Sequence, residues 1–363
     1  MRRCLALLIA LLAFVPAAHA VTATPLATVA DDTPIAAYGG WVAWSEKGPD
    51  GLYRIVTFHD GVKETLSHIA PRTVPFDLDL GPGAVERPVI TFSRCVVERD
   101  VNQLEAPLGA ARSCRLRQVA LPGGGEAGIP VPARGSASDA TPSRWGYRVA
   151  FQRRARGADV SQVMLYDLQH ERLKALPHGA VPHTCPYRTG CANARYRGEV
   201  DELDAAAREV AFSWRLAAPA VIGAGGAAWE MRAVTTATGR SVLAGSGYVS
   251  GACGGRRVLS PQAVPGGVLF LSRQFFCENV VGTVTSALFS TGGLLARTTD
   301  VGGGVAWRVL HDAADGASYV VLGPSTRSTQ TPLPADALTL ARVDGLRLAE
   351  TGKRASEPFD TGR

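Results

Sequence analysis

The stretch "GGWVAWSEKGPDGLYRIVTFHDGVKETL", Gly39 to Leu66, decides the fold. It reads strand, loop, strand, turn, strand. Short runs rich in β-branched and aromatic residues are bounded by Gly, Pro and Asp, which is the signature of strands. Asp60-Gly61 has the residue types of a tight hairpin turn, in which glycine supplies a positive φ. A lone meander cannot bury both faces of its sheet, so this one needs neighbours of its own kind.

The sequence supplies them. "WVAW" (41–44) has counterparts in "VITF" (89–92), "RVAF" (148–151), "EVAF" (209–212), "GVLF" (267–270) and "YVVL" (319–322). Their last residues are Trp44, Phe92, Phe151, Phe212, Phe270 and Leu322, and they recur at intervals of 48 to 61 residues. After each comes an alternating strand, a short polar turn and another strand, as in "SQVMLYDLQHERLKAL" and "LTLARVDGLRLAET". Thr238-Gly239 and Asp344-Gly345 repeat the turn chemistry of Asp60-Gly61. One strand before each copy and two after it make a four-stranded antiparallel unit. Six such units predict an all-β fold, a six-bladed β-propeller of four-stranded blades. Each blade buries both faces against its neighbours, ring closure buries the last pair, and the recurring aromatic fills the layer between blades.

Two details depend on this spacing. "GVAW" (304–307) falls out of step and is assigned to a different strand of the last unit. Residues 21–31 either add a strand to the last blade or form an arm. "EVDELDAAAREVAF" (199–212) is read as two strands with a turn at Leu203–Ala206, in preference to a helix. The propeller domain spans 21–350, with blades at approximately 32–70, 71–131, 135–178, 197–246, 253–299 and 302–350, followed by a disordered tail at 351–363.

The chain begins "MRRCLALLIALLAFVPAAHA". Arg2 and Arg3 precede an apolar run, Leu5–Val15, that is too short to span a bilayer, and Ala18-His19-Ala20 is a small-x-small cleavage site. Residues 1–20 are therefore read as a signal peptide, and the protein as secreted or periplasmic. No later run is apolar and long enough to predict a membrane span. The formal net charge is +6 and falls to +4 without Arg2 and Arg3. The densest basic run, "FQRRARGAD" (151–159), is read as an exposed hairpin loop without aromatic interleaving, so no nucleic-acid partner is expected. Six cysteines remain after cleavage: Cys95, Cys114, Cys185, Cys191, Cys253 and Cys277. An even count in an exported chain reads as disulfides, nearest neighbours being 95–114, 185–191 and 253–277.

The repeat resembles that of TolB-type propellers, most visibly in "GWVAWSE…GLYRIVTFHDGVKETLS" and "YRVAFQR…VMLYDLQHERLKALP". The likeness runs over most of the chain. It departs where that family carries Ser-Pro-Asp-Gly before the second strand; "AAYGG" and "SRWGY" stand there instead. The resemblance implies the fold and export. Relatives of this type include docking scaffolds of the bacterial envelope and non-catalytic domains of secreted peptidases, so it implies no particular partner.

Catalytic motifs are missing. There is no G-x-S-x-G; the nearest stretch is "LAGSGYVSGACGG" (243–255). His59–Asp60 and His311–Asp312 are adjacent residues, which on a strand point to opposite faces. His178, His183, Cys185 and Cys191 have zinc-ligand chemistry, but in an oxidising compartment they read as a small disulfide loop with histidines. Glu199, Asp201, Glu202 and Asp204 lack the spacing of a calcium loop. "PGGGEAG" and "DVGGG" precede no helix with Lys-Ser/Thr, so no phosphate loop is expected. Asp77, Asp79, Asp201 and Glu202 fall on or near predicted innermost strands, where glycoside chemistry would place two carboxylates, yet no spacing selects a pair. No catalytic, cofactor or metal residue is assigned.

The expected function is a monomeric binding or scaffold module for an envelope or extracellular protein, peptide or glycan. It would use loops at one mouth of the ring, with the insertions Val96–Ser113, Arg153–Val160 and Pro177–Arg197 as candidates. The alternative is a hydrolase or lyase with carboxylates in the channel; a third option is a purely structural protein. A channel of Asp, Glu, His and Arg within hydrogen-bond reach favours the enzyme. A channel of Gly, Ala, Ser and Thr favours the module.

Overall fold

Six antiparallel sheets follow one another in the computed structural model, which describes residues 22–29, 32–97, 112–132, 135–158, 160–177, 197–217, 227–249, 255–265, 267–278, 281–291, 293–297, 304–328 and 337–344. From the axis outward, blade 1 is Ile35–Tyr38, Trp41–Lys47, Tyr53–His59 and Val62–Thr65. Blade 2 is Asp79–Pro82, Pro88–Arg94, Arg115–Ala120 and Ala127–Gly128. Blade 3 is Ser138–Trp145, Arg148–Arg154, Gln162–Asp167 and Arg172–Leu176. Blade 4 is Arg197–Ala205, Glu209–Ala217, Ala227–Thr235 and Ser241–Val249. Blade 5 is Gly255–Val264, Gly267–Glu278, Val281–Ser290 and Gly293–Arg297. A single pairing, Val249 with Gly255, joins blades 4 and 5 at their edges.

The sixth blade closes the ring. Its strands are Val305–His311, Ser318–Gly323, Leu338–Asp344 and, outermost, Thr22–Val29 from the other end of the chain. Val29 lies opposite Leu338, and Thr22 opposite Asp344. The stretch at 21–31 is thus a strand of the last blade, and 304–307 opens that blade's innermost strand. The fold is a six-bladed β-propeller.

The recurring hydrophobic residues explain why the ring holds. Trp44 packs with Trp307 between blades 6 and 1, and Phe92 with Ile55 between blades 1 and 2. Phe151 shares a core cluster with Leu116 between blades 2 and 3, and Phe212 shares one with Val163 between blades 3 and 4. Phe270 shares a core cluster with Trp229 between blades 4 and 5, and Leu322 packs against the cluster that holds Leu271 between blades 5 and 6. Each copy of the motif therefore supplies one seam. The five aromatic members are fully or almost fully buried, and burial of such a side chain is worth about 1.5–3 kcal/mol.

The turns follow their residue types. Asp60 and Gly61 have φ of 48° and 78°, as a two-residue hairpin requires. The 199–212 stretch is two strands, Arg197–Ala205 and Glu209–Ala217, joined at 206–208. The basic run at 151–159 corrects the sequence reading. Its first half is strand, and Arg153 is buried against Asp139 at 2.6 Å; among the described residues of the run only Ala155–Gly157 are exposed.

Strand direction alternates, so all connections from a second to a third strand, and from one blade to the next, lie at one mouth. At this first mouth the connections 95–114 and 177–196 are each twenty residues long. At the second mouth none exceeds six residues, as at 121–126 and 312–317.

Candidate functional site

The six innermost strands surround a central channel, and all six contribute to its wall. Two kinds of blade alternate around it. Blades 1, 3 and 5 present Pro34, Pro142 and Pro261 with uncharged neighbours. Blades 2, 4 and 6 present Asp77 and Asp79, Asp201, Glu202 and Asp204, and Arg308 and His311.

The local sequence explains this alternation. The inner strands of blades 3 and 5 each lose register at a bulge, between Ala140 and Ser143 and between Leu259 and Gln262. In each, the residue before a proline takes the left-handed region: Thr141 with φ 51° and Ser260 with φ 51°. A bulge leaves backbone N–H groups without a ladder partner. The preceding blade supplies acceptors. Thr141 N donates to Asp77 Oδ2 at 2.8 Å, and Ser260 N to Glu202 Oε2 at 2.6 Å. Three residues on, Arg144 N donates to Asp79 and Ala263 N to Asp204 Oδ2, the latter at 2.6 Å. "Asp77-Leu-Asp79" clamps "Thr141-Pro-Ser-Arg144" just as "Glu202-Leu-Asp204" clamps "Ser260-Pro-Gln-Ala263".

The remaining seams are stitched by side chains as well. Phe76 N donates to Ser45 Oγ at 3.0 Å, Val200 N to Gln152 Oε1 at 3.1 Å and Ala205 N to Ser143 Oγ at 2.8 Å. Gln262 Nε2 donates to Val309 O at 2.7 Å. Buried backbone groups left unpaired would be costly, so these polar residues are part of the core.

Nearer the first mouth lies a charged tier. Arg308 is 2% exposed; its Nε donates to Asp32 Oδ1 at 2.7 Å and its Nη1 to Glu202 Oε1. Arg273 donates to Asp32 Oδ2 at 2.8 Å, and Arg257 to Asp201 Oδ2 at 3.4 Å. Asp201 Oδ2 also accepts from Trp229 Nε1 at 2.7 Å. Arg215 extends this network, lying 3.6 Å from Asp201 and 2.8 Å from Glu199, so carboxylates and guanidinium groups neutralise one another through the tier. Burial alone would raise the pKa of Asp32, but Arg273 and Arg308 outweigh it and hold the carboxyl well below its ordinary range.

Asp79 and Asp204 sit deeper, toward the second mouth, and neither has a cationic partner among the described residues. Burial pushes the Asp79 carboxyl up to about 6, against hydrogen bonds from Ser143, Leu80 and Arg144. Burial, then the charge of Asp79, pushes Asp204 up as well. Asp79 Oδ2 is sealed from solvent and faces no donor. His311 shares this wall; burial lowers its pKa, against Asp312 and Asp315. The cavity measures about 70 Å³. That admits roughly five water molecules and lies well under the ~300 Å³ of a small organic ligand's pocket. Beyond it Tyr38 and Trp145 meet edge to face, with centroids 5.8 Å apart.

The structure gathers Asp77, Asp79, Asp201 and Glu202 in the channel, as their placement on innermost strands implied. By residue type the wall meets the criterion set for an enzyme. By geometry most of these groups are engaged with one another or with the backbone. Asp32, Asp204, Arg257, Arg273 and Arg308 belong to the same assembly but carry no motif of their own. Aligning the two acidic-Leu-Asp triplets against the later Thr-Pro and Ser-Pro pairs is the signal that finds the clamps. His59 stacks on Trp41 at 4.1 Å and lies 3.3 Å from Asp60 at the surface, whereas Asp312 turns away from His311 to Gly39 and Gly40. Cys95 and Cys114 form a disulfide at the base of the 95–114 connection. Cys185, Cys191, Cys253, His178, His183 and the Cys277 side chain lie outside the described residues. Among the described residues no three His, Cys, Asp or Glu are placed to hold a metal ion, and no helix is long and apolar enough to cross a membrane.

No family model and no curated protein matches the chain. Solved structures match it at low identity. TolB from Acinetobacter baumannii is 10% identical, with a TM-score of 0.42 over 85% of this chain and 64% of TolB. A prolyl endopeptidase is 13% identical, with a TM-score of 0.38 over 90% of this chain and 42% of the endopeptidase. The SapL1 lectin, solved with alpha methyl fucoside, is 9% identical, with a TM-score of 0.37 over 83% of this chain and 90% of the lectin. The chain thus spans under two thirds of the first two. Superpositions this loose add nothing to the fold already evident from the sheets.

Proposed function

We propose that this chain is an exported binding module of the TolB type, built on a rigid propeller that presents its first mouth to another extracytoplasmic protein, a peptide or a glycan. The observation that carries the reading is the asymmetry of the two mouths. Connections at the first run to twenty residues, whereas those at the second are short turns. Long connections held by a rigid scaffold are where recognition concentrates. The Cys95–Cys114 disulfide and the Val97–Arg112 bridge pin the base of one of them. Export is supported by residues 1–20 read as a signal peptide, and by cysteine chemistry suited to an oxidising compartment.

A second reading, a hydrolase or lyase, draws on Asp79, whose pKa of about 6 suits general acid–base work. The small cavity and the clamping role of Asp79 weigh against it.

The test is affinity capture from an extracytoplasmic extract, followed by binding of the captured component in purified form. The full chain is compared with a variant whose 178–196 segment is replaced by a short Gly-Ser linker, and with Tyr147→Ser at the second mouth. The binding reading expects loss with the linker variant and retention with Tyr147→Ser. Equal retention by both variants overturns the assignment to the first mouth.

A further inference from the structure

The third strand of each blade relies on a fourth to cover its outer edge, and in blade 5 that cover comes from two places. Gly293–Arg297 pairs only with residues 287–290 of Val281–Ser290, the half toward the second mouth. The half toward the first mouth is covered by another blade. Thr326–Ser328, in the connection that follows Gly323 of blade 6, pairs antiparallel with residues 281–283, and Val284 N donates to Ser325 O at 2.6 Å. Blade 1 covers the same half with its own chain: Leu66 N donates to Ile55 O, and Tyr53 pairs with Arg72. The strap from blade 6 and the strand beneath it are held very differently. Val284 is 3% exposed, shares an apolar cluster with Trp44 and Trp307, and belongs to a strand whose inner edge is paired from Val281 to Ser290. Ser325 and Thr326 are exposed, and among the described residues no strand pairs with the strap's far side. Blade 6 does not depend on it, since residues 318–322 pair with 339–343 without it. A three-residue strand bonded on one side opens locally at little cost. A sheet edge so opened is a template for another strand.

We propose that the outer edge of residues 281–286 is a strand-addition site for an extended peptide segment of a partner protein, and that Thr326–Ser328 occupies it until the partner arrives. The proposal rests on the first-mouth binding reading and narrows it: an edge that offers backbone N–H and C=O groups recognises a polypeptide, not a glycan. The strap itself shows that the edge accepts a strand, and in which direction: antiparallel to Val281–Ser290. An incoming strand that runs on past residue 283 gains backbone hydrogen bonds that the strap does not make. The strap in turn sets a threshold, because a covering segment tethered beside its own edge competes at high effective concentration. The exposed edge is thereby protected from indiscriminate pairing when no partner is bound.

The experiment uses the full chain in two forms. One is locked by a disulfide between Thr283→Cys and Thr326→Cys, positions that stand opposite each other and are both exposed. The other is opened by replacing residues 325–328 with Gly and Ser. Phage-displayed heptapeptides are selected on the opened chain and depleted on the locked one, and the survivors are mapped by amide hydrogen exchange. The proposal expects survivors that slow exchange at residues 281–286, bind wild type about tenfold or more weakly than the opened chain, and do not bind the locked chain. No survivors, or survivors that protect another surface, would overturn it. A first-mouth partner captured equally well by the locked chain would also overturn it, while leaving the binding role of that mouth in place.

Discussion

Asp312 Oδ1 accepts from Gly39 N at 2.9 Å, and its Oδ2 accepts from Gly40 N at 2.7 Å, joining residues more than 270 positions apart. Asp312 has no exposed surface. It closes the ring at the second mouth by the same device, a side chain capping the next blade's backbone, that stitches the other seams. Gly39 and Gly40 both have positive φ, which frees their N–H groups to point at one carboxylate. Asp312→Ala should lower stability by about 2–4 kcal/mol, and Asp312→Asn by less, because one acceptor remains. Denaturant unfolding of the two variants checks the order.

The outer strand Thr22–Val29 covers the edge of Leu338–Asp344. An uncovered edge is a template for pairing with another chain. Deleting residues 22–29 should lower the melting temperature and produce oligomers in light scattering. A monomer of unchanged melting temperature would show that this strand does not close the ring.

Phe92 sits in the seam between blades 1 and 2, edge to face with Phe76 at 5.3 Å. Phe92→Ala should destabilise by about 3–5 kcal/mol. Val85, 80% exposed at the second mouth, serves as the control; Val85→Ser should change stability by no more than about 0.5 kcal/mol.

The Cys95–Cys114 disulfide spans 19 residues. Its reduction should remove about 3 kcal/mol by freeing the unfolded chain. Circular dichroism should stay that of a β-protein, since the blade strands on either side are bonded independently of it.

His311 gives the fold a pH dependence of its own. Its folded pKa is depressed by burial, so below about pH 6.5 the unfolded chain takes up a proton that the folded chain refuses. This contribution to stability is lost as pH falls through that range, and His311→Gln should remove it. Unfolding of that variant and of wild type, measured from about pH 5 to 7, checks this.

Much of the architecture is legible in the sequence because each blade must fill one seam, and the residue that fills it recurs: Trp44, Phe92, Phe151, Phe212, Phe270 and Leu322. Turn chemistry at Asp60-Gly61 is local and equally readable. The channel is not. Asp77 finds Thr141 N across 64 residues, and Glu202 finds Ser260 N across 58. Such clamps emerge only once two bulges are known to lack partners. Acidic residues that look like candidate catalysts in one dimension become backbone acceptors in three. Arg153 shows the same limit: it belongs to a basic run in sequence and to a buried ion pair in the fold.

The most direct test of the central claim is site-specific photo-crosslinking from both ends of the ring. A crosslinker is placed at Asp50 or Arg156 on the first mouth, and at Val85 or Tyr147 on the second, all on connections between strands. The account predicts that an extracytoplasmic partner is trapped from the first pair of positions and not from the second. Trapping from the second pair alone would contradict it, as would turnover of a substrate that Asp204→Asn abolishes.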